Sequence, residues 1–128
     1  MVQKITEGVR ISVETFYQPA QSNPMRPEHV FVYRITIENQ SSNPIKLQRR
    51  HWVIVDSNGL IKEVEGEGVV GRKPTIEPGT CYQYISSTMI STDIGKMYGT
   101  YEMLNLYNRS KFKVVIPEFQ LVYPYKLN

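Results

Sequence analysis

A chain of 128 residues, 41% hydrophobic and 21% charged, has the size and composition of one soluble globular domain. Its net charge of +3 comes from 15 basic and 12 acidic side chains, interspersed and without the dense basic stripe of a nucleic-acid binder. The lone cysteine, Cys81, excludes an intrachain disulfide, and no stretch approaches the ~18–20 apolar residues of a membrane span.

The opening MVQKITEGVRISVE lacks the apolar core of a signal peptide, so a cytoplasmic protein with no membrane partner is expected. Val9 to Tyr17 alternates, with Val9, Ile11, Val13 and Thr15 on one face of a strand. Gln18 to Glu28 holds three prolines and is a loop. His29 to Asn39 is the clearest strand, with Phe31, Tyr33, Ile35 and Ile37 pointing one way. After the QSSNP turn, Ile45 to Asp56 forms another strand whose pattern conflicts with itself. Leu47, Val53 and Val55 share one parity, while Trp52 and Ile54 take the other. Either both faces are buried near Trp52, or a bulge around Arg49–His51 shifts the register.

Ser57-Asn58-Gly59 makes a tight turn into a short strand from Leu60 to Val64. Past the glycine-rich stretch EGEGVVGRKPTIEPG, Cys81 to Ser87 is a strand with Tyr82 and Tyr84 on one side, and Thr88 to Gly95 is irregular. Lys96 to Asn108, Lys111 to Ile116 and Phe119 to Tyr123 complete the set, with Pro117 at a bulge or an edge. No window sustains a long helical period. About seven short strands separated by turn signals therefore predict an all-β, antiparallel sandwich in a single domain.

Arg50-His51-Trp52, then GEGVVG at Gly66–Gly71, Pro74, Pro78-Gly79, and Gly95, Met97, Gly99 and Tyr101 in a G-x-M-x-G-x-Y array resemble the ApaG family. FVYRITIEN at Phe31–Asn39 and IPEFQL at Ile116–Leu121 extend the resemblance over almost the whole chain. The chain departs from it at Ser86-Ser87, where the family often has Ser-Gly, and at the additional basic residue Arg49. The resemblance implies an immunoglobulin- or fibronectin-type-III-like β-sandwich. It also implies a domain found inside larger eukaryotic proteins, where it binds other proteins. The gene's place beside a diadenosine tetraphosphate hydrolase in some bacteria adds the idea of pyrophosphate or nucleotide binding.

Three groups of residues are candidates for function. Gly66, Gly68 and Gly71 stand in a Gly-x-Gly-x-x-Gly spacing, followed by Arg72 and Lys73. Val69-Val70 and Pro74 leave no room for a helix, so the dinucleotide-binding fingerprint fails, and the Gly-Lys-Ser/Thr ending of a P-loop is absent. The expected role is a bulge or tight crossover needing positive φ. The alternative is an anion nest holding pyrophosphate or a nucleotide weakly, with Arg72 and Lys73 against it and the field of Glu63, Glu65 and Glu67 opposing it. Arg49, Arg50 and His51 form the second group, a candidate partner-binding or anionic surface in which Arg49 and His51 share one face of the strand and Arg50 opposes them; such arginines more commonly satisfy carboxylates or loop carbonyls. His51 is expected to be a hydrogen-bonded packing residue beside Trp52. The third group is the tyrosines Tyr82, Tyr84, Tyr98, Tyr101, Tyr107, Tyr123 and Tyr125, mostly core and ordinary surface.

No spacing pairs His29, His51 or Cys81 as an activated nucleophile, and Cys81 is expected to be small and buried. No catalytic residue, metal site or cofactor is expected. The expected function is a non-enzymatic module binding another protein through inter-strand loops that include Gly66–Gly79. The partner's identity and the oligomeric state stay open.

Overall fold

The computed structural model describes residues 1–126. Nine strands follow one another: β1 (Val2–Thr6), β2 (Val9–Tyr17), β3 (His29–Asn39), β4 (Ile45–Asp56), β5 (Ile61–Glu67), β6 (Thr75–Ile76), β7 (Cys81–Ile90), β8 (Ile94–Asn105) and β9 (Lys111–Val122). Single 3-10 turns at Pro19–Gln21 and Pro124–Lys126 are the remaining regular elements. One sheet runs β1-β2-β3-β7; the other runs β5-β4-β8-β9, with β6 extending the β5 line along β4. Every ladder is antiparallel. This is the expected all-β sandwich.

Period-2 alternation builds the core. Val9, Ile11 and Val13 of β2 and Phe31, Tyr33, Ile35 and Ile37 of β3 face Trp52, Met97, Tyr101, Ile116 and Phe119 of the second sheet. Each such burial is worth roughly 1.5–3 kcal/mol. Trp52 sits at the centre, with ring centroids 5.4 Å from Tyr33, 5.9 Å from Phe119 and 6.4 Å from Tyr101.

Both faces of β4 are buried near Trp52, and a bulge does shift the register, but it lies at Gln48, ahead of the expected Arg49–His51. The register against β8 shifts between Leu47 and Arg49, so Ile45 and Leu47 precede a bulge at Gln48, and Trp52 and Ile54 return to the inner face after it. Val53 is buried as well, on the opposite face.

One strand carries no signal in the sequence, and three expectations need correction. The first strand, Val2–Thr6, is almost wholly exposed and carries no apolar period; it is held by its ladder to β2. The segment expected to be irregular after Ser87 continues β7 as far as Ile90, whose side chain is buried. The turn that follows is fastened by Asp56, whose Oδ2 accepts the Ser91 N–H at 2.8 Å. The two strands around Pro117 are one. Met97 faces Phe119 and Gly99 faces Ile116, so Pro117 and Glu118 stand against the single residue Tyr98 in a bulge on an edge strand, where proline's missing N–H breaks no ladder. Finally, Cys81 is exposed: Tyr84 takes the inward parity of β7, which turns Cys81, Gln83 and Ile85 outward.

Candidate functional site

The glycine stretch grows out of the β4–β5 hairpin, and register explains its first glycine. Gly66 lies directly across from Arg50. A Cβ at Gly66 would stand 2.8 Å from Arg50 Nη1, so the missing side chain leaves a seat for the guanidinium. From that seat Arg50 Nη1 donates to the carbonyls of Glu67 at 3.1 Å and Gly68 at 3.0 Å. Arg50 is therefore a clamp on loop carbonyls, a role open to any arginine in this register.

Gly68 has φ +65°, and a Cβ there would meet the Arg72 carbonyl oxygen at 2.2 Å. Its N–H donates to the Gln48 carbonyl at 2.8 Å, tying the loop to the β4 bulge. Val69 and Arg72 then exchange both backbone hydrogen bonds, at 2.8 and 3.0 Å, across a two-residue turn. Its central residues, Val70 (φ 48°) and Gly71 (φ 75°), both take positive φ, the mark of a type I′ hairpin turn. Asn and Gly are the usual residues there, and a β-branched residue at positive φ is a strained outlier. Val69 is buried, yet Val70 is 62% exposed at the tip.

The loop's return is equally fixed. Pro74 accepts the Leu47 N–H at 3.0 Å, and the buried Asn39 donates to Asn43 O at 2.8 Å and to Ile76 O at 2.9 Å. Gly79 (φ 77°) donates to Asn39 O at 2.8 Å as the chain crosses to β7. The three glycines of the spacing thus serve one arginine seat and two positive-φ positions. For an anion, the N–H groups of Gly68, Val69 and Arg72 are already taken by carbonyls, and Lys73 Nζ lies 3.2 Å from Glu67. Arg72 is exposed beside them.

Arg49 and His51 are carried to the opposite, outer face of β4, as alternation requires. His51 does not pack against the core. It is 36% exposed, with Nε2 3.6 Å from Glu63 and 3.9 Å from Glu65. It borders a groove of about 520 Å³ whose walls include Val53, Tyr98, Val115 and Pro117, and a smaller polar depression of about 100 Å³ shared with Arg49, Glu102 and Lys113.

Behind Arg50 lies a group of phenols. Tyr84 and Tyr101 hydrogen-bond each other through their hydroxyls inside the core. Burial pushes the Tyr101 and Tyr84 hydroxyls well up from the ordinary tyrosine value, and that of Tyr33 up as well, where Ser86 and Arg50 oppose the shift. Tyr107 and Tyr125 stand exposed.

His29 belongs to a cluster invisible in sequence spacing, because its partners are 12 and 64 residues away. Tyr17 Oη lies 3.0 Å from Nδ1 and Asp93 Oδ1 lies 3.1 Å from Nε2. With both ring nitrogens engaged and 1% exposure, His29 fastens the start of β3 to the β7–β8 turn. Among the described residues, no group of three or more His, Cys, Asp or Glu side chains could hold a metal ion, and no helix is long and apolar enough to cross a membrane.

A two-sheet antiparallel sandwich with a clamped glycine crossover defines an immunoglobulin-like β-domain. Residues 19–105 match the ApaG domain family, and the chain belongs to that family. It is 45% identical over 120 residues to the Protein ApaG of Shewanella sp. (strain MR-4), covering 94% of each chain. It is 44% identical over 124 residues to that of Brucella anthropi, covering 97% of this chain and 95% of the relative. Its fold superposes on the crystal structure of an ApaA protein from Bordetella pertussis with a TM-score of 0.87 at 40% identity, over 91% of this chain and 94% of the other. A protein from Archaeoglobus fulgidus shares the fold alone, with a TM-score of 0.53 at 11% identity over 87% and 94% of the two chains.

Proposed function

We propose that the protein is a non-enzymatic binding module of the cytoplasm that recognises another protein through the Gly66–Gly79 segment, with the outer face bearing Arg49 and His51 beside it. The observation that carries this reading is Val70. A valine at φ 48° and 62% exposed is displayed in a strained turn whose base is fixed by Arg50, Gln48 and Asn39. Strain of this kind persists when surroundings over-determine it, and it clusters at recognition sites. Loops set on a rigid sandwich are also where such folds place recognition.

The test separates stability from binding by giving them opposite signs. Val70→Asn supplies the residue a type I′ turn prefers and relieves about 1 kcal/mol of left-handed strain. Thermal unfolding should therefore shift upward. The affinity for a partner captured with the wild-type protein from native lysate should fall by about tenfold, as expected for a lost apolar anchor of roughly 1.4 kcal/mol. A stabilised Val70→Asn variant that binds as tightly as wild type removes the loop from the interface. Pyrophosphate or a dinucleoside polyphosphate titrated calorimetrically at low salt should give no heat at millimolar ligand. Heat that disappears when Arg72 and Lys73 are replaced by alanine would instead assign the loop to an anion.

A further inference from the structure

Five strands lie at the edges of the two sheets; β6 is only two residues long, and three of the four longer ones are guarded. β1 carries Lys4 and packs against β9 across the side of the sandwich, where Val115 N–H donates to Thr6 Oγ1 at 3.2 Å. β9 adds Lys111, Lys113 and the Pro117 bulge. β5 sets Lys62, Glu63, Glu65 and Glu67 along its seven residues. Charges, prolines, bulges and covering strands are the devices by which folds stop an open edge from pairing with another chain. β7 has none: its ten residues, CYQYISSTMI, contain no charge, proline or glycine.

Alternation tells which backbone groups this edge presents. Asn39 of β3 bonds toward β7, donating to Thr80 O and accepting from Gly79 N. Residues of the same parity in β3, Ile37, Ile35 and Tyr33, therefore bond to their partners Tyr82, Tyr84 and Ser86. Gln83, Ile85 and Ser87 turn their N–H and C=O groups the other way, out of the sheet. The Met89 carbonyl, of the same parity, meets Lys62 Nζ at 3.4 Å from across the gap, which agrees with that assignment. The outward residues Ile85 (58% exposed) and Met89 (41%) give the same edge an apolar outer face.

Below the edge, between β7 and β5, is a cleft of about 300 Å³ walled by Trp52, Tyr33, Ser86, Thr88, Arg50 and Lys62. Among the described residues, no acidic side chain lines it. Neither Arg50 nor Lys62 has a carboxylate within salt-bridge distance among the described residues.

We propose that β7 is a docking edge that takes an extended segment of another protein as an added strand, one whose side chains alternate apolar and acidic. The backbone of Gln83, Ile85 and Ser87 supplies the ladder. The inward side chains of the added strand hang over the cleft, where Arg50 and Lys62 receive carboxylates, and the outward ones lie beside Ile85 and Met89. A second copy of this chain is the poorer occupant, because its own β7 brings no carboxylate to the cleft. This surface shares Arg50 with the base of the glycine loop, but the β7 edge lies outside that loop and the proposal does not rest on the loop reading.

The experiment is a titration of the isotope-labelled full chain with a blocked heptapeptide alternating valine and glutamate, followed by amide shifts and hydrogen exchange. The amides of Gln83, Ile85 and Ser87 should shift and become protected. A valine–lysine heptapeptide should bind about tenfold more weakly or worse, and Lys62→Glu should invert that order. Ile85→Pro removes one outward N–H without breaking the ladder to β3, and should weaken binding about tenfold. Ser87→Pro does the same at a second outward position, so a folding failure of either variant leaves the other. Unchanged amides at millimolar peptide, or equal affinity for the two peptides, overturn the proposal. A concentration-dependent dimer that protects the same amides without peptide overturns it too, by assigning the edge to a second copy. None of these readouts involves the loop's partner, so failure here and failure of the loop reading are separate results.

Discussion

The two sides of this sandwich are built differently. On one side β1 and β9 close the gap between the sheets, joined by the Thr6–Val115 hydrogen bond and guarded by lysines and the Pro117 bulge. On the other side β5 and β7 end their sheets without laddering to each other, the crossover between them is a strained glycine loop, and the cleft below is basic. The closed side spends its sequence on excluding strands and water. The open side keeps features that lower stability or invite pairing: a valine at positive φ, an uncharged ten-residue edge, and cations without a carboxylate partner among the described residues. Features that cost stability and are held in place by others are the ones to examine for binding.

Both sides hang on the β4–β8 ladder, so the largest effect is expected there. Gly99 sits opposite Trp52, and a Cβ would stand 2.0 Å from the His51 carbonyl oxygen and 3.2 Å from Trp52 Cα. These are backbone atoms of a central strand and cannot rotate away. Gly99→Ala should cost about 3 kcal/mol or more, read as a fall in the urea midpoint at unchanged slope. A loss under about 1 kcal/mol would show that the strands part easily, and the sides could no longer be treated as separate.

The next effect belongs to the open side. Gly68→Ala places a Cβ at φ +65° against the Arg72 carbonyl, away from the core. It should cost on the order of 1 kcal/mol or more in chemical unfolding. Partner affinity should fall by more than this loss explains, with both proteins checked as folded at the working temperature. Equal affinities would shift the interface to the outer face bearing Arg49 and His51.

What could be foreseen from the sequence follows the same division. Where one face is buried and the other wet, as in β2 and β3, alternation marks the strand to its ends. The bulge in β4 showed as a parity conflict at Leu47 and Trp52, and the failure of the dinucleotide fingerprint followed from Val69, Val70 and Pro74. What stayed hidden depends on neighbours far along the chain. Val2–Thr6 has no buried face to signal a strand, and Cys81 is exposed only because Tyr84 takes the inward parity. The Gly66 seat exists because Arg50 lies across the ladder, and His29 draws Asp93 from 64 residues away. The lack of charge in CYQYISSTMI was plain in the sequence, but it acquires meaning only once the topology makes β7 an edge.

The smallest stability effect should sharpen the comparison most. Ile85→Lys changes an exposed side chain that points away from the core, so unfolding free energy should stay within about 0.5 kcal/mol of wild type. It nevertheless gives β7 the guard that β1, β5 and β9 already have. An inward or edge lysine opposes strand addition because pairing would desolvate its charge, whereas an isoleucine favours it. The variant should therefore aggregate more slowly when held just below its unfolding midpoint, as followed by light scattering at matched protein concentration. Lys4→Ile on the closed side is the control: β9 already covers that strand, so removing its charge should change the scattering rate far less. If the two substitutions altered aggregation equally, net charge would account for both, and β7 would lose its standing as an unguarded edge.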